Sequence, residues 1–190
     1  MAFDKNKIRY GLRNVHYAIL TEGEESDTYG VVKKIPGAVS ASLAKIGTMD
    51  VFYADDVEYY RFGKNGGYDG TIEFAELPEE LETAIFGEVL DGDGVLFEKT
   101  EAKPVAIALF FEFQGDAFAI RRCMPKVYLS KQKIEGKATE KPTVETNTLG
   151  VQARPNRAGY VQAKTTSQTS AEKYANWYSA VPTFVAPTGG

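Results

Sequence analysis

The chain holds one histidine, His16, and one cysteine, Cys123, so any Cys/His nucleophilic dyad would have to be made from this pair. A thiol nucleophile needs a base within hydrogen-bond reach and a third group to orient that base, and no signature for such a triad accompanies either residue. His16 stands in Val15-His16-Tyr17-Ala18, which reads as strand, and Cys123, between Arg122 and Met124, reads as a small buried apolar residue. The same two counts exclude a Cys/His zinc cage and an intramolecular disulfide. Asp91-Gly92-Asp93-Gly94 matches the opening of a calcium loop, but the twelfth position from Asp91 is Ala102, where a bidentate Glu is required. That segment reads as a helix stop and turn. Gly63-Lys64-Asn65-Gly66-Gly67-Tyr68-Asp69-Gly70 is rich in glycine yet lacks the residue order of a phosphate-binding loop, and it is predicted to be a mobile hairpin loop. Asp55, Asp56 and Glu58 could serve as an acid/base pair, but an exposed acidic cluster is ordinarily solvated surface. The residues point away from an enzyme and require no cofactor or metal.

The elements that must position these groups are mostly strands, because β-branched and aromatic residues recur in runs bounded by Gly, Pro, Asn and Asp. Strands are predicted over 15–20, 29–34, 38–44, 49–53, 57–62, 71–76, 95–98, 105–114, 118–124, 126–135, 143–151 and 160–166. The expected fold is mostly β, a β-sandwich or barrel with one flanking α-helix over about residues 78–90. In that helix Pro78 suits the first position, Glu79, Glu80 and Glu82 suit the positive end of the dipole, and Leu81, Ile85 and Val89 form an apolar stripe. A weaker helical turn is predicted at 171–176. The clearest hairpin runs from Val105 to Met124 through Gln114-Gly115-Asp116-Ala117. Its first arm places Ile107, Leu109, Phe111 and Phe113 on a core face, and Ala108, Phe110, Glu112 and Gln114 on a mixed one. Residues 1–190 read as one domain, with 1–8 and 180–190 as arms that order on a partner.

At 190 residues with 43% apolar side chains the chain can bury a sizeable core on its own. No apolar run is long enough for a membrane-spanning helix, and the charged first twenty residues have no secretory pattern, so a cytosolic origin is expected. The formal charge of -4 disfavours sequence-independent binding to phosphates. Its distribution is uneven: residues 1–100 carry 10 basic and 19 acidic side chains, residues 101–190 carry 12 and 7. Either the charges cluster by chance on a solvated surface, or copies attract one another head to tail. Tyr59, Tyr60, Phe62, Tyr68, Trp177, Tyr178 and Phe184 fall outside a clean alternation, and aromatic residues in loops and tails suit interfaces. With Lys131, Lys133 and Lys137 of the basic half, Tyr59, Tyr60, Phe62, Tyr68, Trp177 and Phe184 are the candidates for contacts between copies.

An ordered series of segments carries a family resemblance. It runs through Tyr10-Gly11-Leu12-Arg13-Asn14-Val15-His16-Tyr17-Ala18, Gly37-Ala38-Val39-Ser40 and Val51-Phe52-Tyr53-Ala54-Asp55-Asp56. It continues with Gly70-Thr71-Ile72-Glu73 before Leu77-Pro78, the apolar strand 106–113, and Ala119-Ile120-Arg121-Arg122-Cys123 before a basic strand. Over residues 8–150 this order resembles the major tail proteins of long-tailed, non-contractile bacteriophages, the subunits of the tail tube; from Val151 the match is loose. The resemblance implies a sandwich with one helix, hexameric rings that stack into a tube, and transient passage of DNA without specific binding. It also implies tape-measure and tail terminator or tip proteins as partners, no membrane, and a place in the virion tail after assembly in the host cytoplasm. Acidic groups are then expected on the inner wall, with Asp55, Asp56, Glu58, Glu73 and Glu112 as candidates. The alternative is a β-sandwich that binds carbohydrate or a cell surface through Tyr59, Tyr60 and Tyr68; a small hydrolase is a third possibility.

Overall fold

The segment Ile107–Gln114, IALFFEFQ, shows how the molecule is organised, because both of its faces are covered. Ile107, Leu109 and Phe111 enter the main core as the alternation predicts, while Ala108 and Phe110 are buried in a second cluster on the opposite side. A strand apolar on both faces must lie inside a sheet with packing above and below it.

A computed structural model describes residues 10–114, 119–131 and 145–186, apart from the side chains of Tyr10, Met49, Asp50 and Phe62. The strands are β1 (Tyr10–Glu22), β2 (Asp27–Tyr29), β3 (Lys33–Lys34), β4 (Ala38–Ala54) and β5 (Val57–Phe74). After helix α1 (Glu79–Phe86) come β6 (Val89–Leu90), β7 (Leu96–Phe97), β8 (Ile107–Gln114), β9 (Arg121–Lys131), β10 (Asn147–Ala153) and β11 (Ala163–Lys164), then helix α2 (Ala171–Ala175). One large antiparallel sheet runs β2-β1-β8-β9-β10-β5-β4, with β3 paired to β1 and β11 to β9; β6 and β7 form a small separate hairpin. The protein is therefore mostly β, as the residue pattern predicts.

The sheet is curled. β1 and β4 stand five places apart in the order, which would separate them by about 24 Å in a flat sheet, since neighbouring strands lie ~4.8 Å apart. They nevertheless approach within 8 Å at Cα. The enclosed face holds Val15 and Tyr17 of β1, Ile72 and Phe74 of β5, Met124, Val127 and Leu129 of β9, and Leu149 and Val151 of β10. Leu81 and Ile85 of α1 close the same core and are fully buried. On the sheet's other face, Trp177 and Tyr178, just after α2, pack with Ala18, Ala108, Phe110 and Cys123.

Three boundaries differ from the sequence expectation. The helix stops at Phe86 because Gly87 takes a left-handed conformation with φ 69°, the usual helix terminator. Val89 consequently lies in β6 and is exposed instead of extending the apolar stripe. Pro78 is the residue before the first turn, with ψ 136°, and not its first helical member. Second, the segments 38–44 and 49–53 merge into β4, and 57–62 and 71–76 merge into β5, which absorbs the predicted mobile loop 63–70. Its glycines serve close packing of strands: a Cβ on Gly67, at φ +119°, would lie 1.9 Å from the Ala153 carbonyl oxygen, and one on Gly70 would lie 1.9 Å from that of Ser42. Third, the predicted strands 118–124 and 126–135 are continuous over the described part, as the single strand β9 from Arg121 to Lys131. The turn residues Gly115, Asp116 and Ala117, the arm 1–8, and Lys133 and Lys137 lie outside the described residues, as do 187–190 of the second arm.

Candidate assembly surface

The longest element is the hairpin of β4 and β5. Residues 38–45 and 68–74 are its base, where β5 also pairs with β10 from Tyr68 to Phe74. Beyond that base, among the described residues, 46–54 and 57–67 pair only with each other. Nine residues at ~3.3 Å each carry this outer half about 30 Å past the sheet. Asp55 and Asp56 make its two-residue turn, with φ 52° and 61°. Positive φ at both central positions gives the twist that a tight hairpin needs, and Asp tolerates it better than most residues.

The outer half exposes apolar and aromatic side chains. Phe52, Tyr53, Val57, Tyr59 and Tyr60 are all more than half exposed. Phe52 sits directly across from Tyr60. Such a cross-strand pair holds the two strands in register. Glu58 takes two bonds from Arg61, Nε at 2.7 Å and Nη2 at 2.8 Å, which braces the strand beside the turn. The five residues share one projecting element with the acidic turn at its end.

Other predicted site residues fall elsewhere. Trp177 is buried in the chain's own second cluster at 5% exposure, so it is not a surface for another copy. Tyr178 lies in the same place. Tyr68 packs against the main core at the hairpin base, and Phe184 is exposed with its ring stacked on Tyr160 at 5.2 Å. Tyr59 is the extra residue of a register shift between Tyr60, opposite Phe52, and Glu58, opposite Tyr53, and Tyr68 lies eight residues beyond Tyr60, ~27 Å along the strand. Tyr68 is thus too far along the strand to stack on the same sugar ring as Tyr59 and Tyr60. Lys131 bonds Glu82 at 2.9 Å and also Glu88, so its charge is used within the chain. Glu22 with Lys126 and Asp69 with Arg154 likewise join the acidic first half to the basic second half internally. This internal pairing reduces the charge left for a head-to-tail attraction.

The acidic candidates also separate. Asp55, Asp56 and Glu58 are exposed near the hairpin tip. Glu73 lies in the sheet, where Thr146 and Ser40 hydroxyls donate to its carboxylate and hold its pKa below the ordinary value. Glu112 is only 1% exposed and cannot line a lumen. Its carboxylate instead accepts from Asn14 Nδ2 at 2.7 Å, Arg13 Nε at 2.8 Å, Arg121 Nε at 3.2 Å and the Tyr178 hydroxyl at 3.0 Å. Sequence alternation placed Glu112 on a mixed face; Tyr178, which covers it, comes from 66 residues away, and strand periodicity carries no record of it.

His16 and Cys123 do not form a dyad. Each is registered opposite Phe110, one on either side of β8, so their backbones stand about 10 Å apart with a phenyl ring between. Burial pushes the Cys123 thiol far up, away from the thiolate that a nucleophile needs. Among the described residues no three His, Cys, Asp or Glu side chains are grouped to hold a metal ion. No helix among them is long and apolar enough to cross a membrane. No protein-family model matches the chain, and no curated protein matches it.

Proposed function

We propose that the chain is a structural subunit of a phage tail tube, whose copies close into hexameric rings and stack into a hollow conduit for viral DNA. The observation that carries this reading is the projecting half of the β4–β5 hairpin. A single copy leaves about 30 Å of paired strand in water, with five exposed apolar or aromatic side chains and an edge, the outer half of β4, that among the described residues pairs only with β5. Exposed edges and aromatic patches are liabilities for a solitary protein and become contacts when copies surround them. The ordered resemblance over 8–150 supplies the kind of assembly, and a net charge of -4 per copy suits a conduit that must release the duplex. Tape-measure, terminator and tip proteins would then meet the ends of the tube.

Electron microscopy of the concentrated full-length chain is the test. Rings or tubes are expected from the parent protein, and only discrete small particles from a Tyr59→Ser, Tyr60→Ser double variant. Both changes are at exposed positions, so the fold should hold to within about 0.5 kcal/mol each. Discrete particles from the parent at every concentration, or normal tubes from the double variant, reject the proposal.

A further inference from the structure

Besides the hairpin, a cluster of titratable side chains is built into the fold around Glu112. Residues 170–186 lie on the outer sheet face as a separate strap. Ser170 caps α2 by accepting from the Lys173 amide, and the chain then inserts Trp177 and Tyr178 against β1, β8 and β9. The Tyr178 ring stacks on the His16 imidazole with centroids 4.4 Å apart, tilts against Phe110 at 6.1 Å, and bonds Glu112 through its hydroxyl. Arg121 lies over Tyr174 at 3.9 Å and over Tyr178 at 4.9 Å, and it donates to the Tyr174 carbonyl.

We propose that His16 makes this strap a pH-sensitive latch: neutral imidazole holds Tyr178 in its slot, and protonation releases residues 170–186 from the sheet. His16 Nδ1 lies 2.9 Å from the Asn14 carbonyl oxygen, which can only accept, so Nδ1 carries the hydrogen and an incoming proton must go to Nε2. The charges facing the ring come from every packed element. They are Lys34, directly across on β3, and Glu112 on β8, whose carboxylate is held by Arg13 of β1 and Arg121 of β9 and accepts from the Tyr178 hydroxyl of the strap. The one carboxylate near the ring is therefore already occupied by two guanidinium groups, and Lys34 stands opposite without a described carboxylate partner of its own in this cluster. An imidazolium would add a further positive charge opposite Lys34, under a tyrosine ring that half-buries it.

The direction of titration agrees with this geometry. Burial, and then the Lys34 charge, hold His16 below its ordinary pKa, outweighing the Asn14 bond and Glu112. A group whose docked pKa is depressed binds its proton more readily once the strap lifts. The latch is therefore fully closed above about pH 6.5, and it loosens as pH falls toward the docked pKa, by up to tenfold in open population per pH unit. Opening uncovers Ala18, Ala108, Phe110 and Cys123.

Trp177 is the chain's one tryptophan and reports on the latch directly. Acrylamide quenching of its fluorescence would be followed from pH 8 to pH 5 on the full chain in dilute solution, with far-UV circular dichroism recording the sheet. Quenching should rise on acidification while the sheet signal stays constant. His16→Phe keeps an aromatic ring under Tyr178 and should give a flat profile. Lys34→Gln, at an exposed position, removes one opposing cation and should reduce the rise even if His16→Phe does not fold. A pH-independent signal in the parent, loss of the sheet signal together with Trp177 exposure, or an unchanged profile in Lys34→Gln overturns the proposal.

Discussion

Replacing Glu112 with alanine should destabilise the protein more than a typical substitution, and the structure gives the size. The Glu112 side chain is 2% exposed and satisfies four donors. Its removal leaves the Arg121 guanidinium, 18% exposed, without its carboxylate, whereas Arg13, at 44%, can turn to water. Removing one partner of a buried ion pair costs about 3–5 kcal/mol, because the remaining charge stays desolvated. For a domain of this length each kcal/mol lowers the melting temperature by ~2–4 °C, so Glu112→Ala should melt roughly 6–20 °C below the parent. Thermal unfolding at pH 7 measures this. A double-mutant cycle then tests the cause: Glu112 and Arg121 should be strongly coupled, and Glu112 and Arg13 only by the 0–1 kcal/mol of about a surface pair. A loss under about 1 kcal/mol for Glu112→Ala, or equal coupling to both arginines, would refute the reasoning.

Ile85→Ala should cost about 2–5 kcal/mol in urea unfolding, since its side chain on the inner face of α1 is fully buried, while Val89→Ala should be close to neutral because Val89 lies beyond the helix and is exposed. Gly70→Ala should lower the urea midpoint sharply, its Cβ meeting the Ser42 carbonyl oxygen at 1.9 Å, whereas Gly92→Ala enters open space and should change stability by less than about 0.5 kcal/mol. Equal effects from Gly70→Ala and Gly92→Ala would show that β4 and β5 are not packed as described.

The candidate surface was only partly legible from the residues. Tyr59, Tyr60, Asp55 and Asp56 stood out by type, and the structure brings them together on one hairpin. Lys131 stood out as a basic surface residue, yet Glu82 and Glu88, more than forty residues earlier, neutralise it. Trp177 looked like a tail aromatic because nothing near it in sequence is apolar enough to bury it; the residues that do so, Ala18, Ala108, Phe110 and Cys123, come from three strands.

The sequence by itself determined the local states. β-Branched and aromatic runs make strands wherever they pack, the acidic first turn and the Leu81–Ile85 spacing make α1, and one histidine and one cysteine limit the chemistry at once. Those preferences act over a few residues, so they appear in any window of the chain. Whether Gly63 to Gly70 becomes loop or strand was decided only by tertiary structure. Glycine is a poor strand former alone, but the backbones of β4 and β10 press so close at Gly67 and Gly70 that no side chain would fit. The burial of Glu112 was decided the same way, by a strap that returns over β8 with Tyr178 at its centre. Contacts between residues sixty or a hundred positions apart depend on which strands the fold makes neighbours, and no periodicity along the chain encodes that choice.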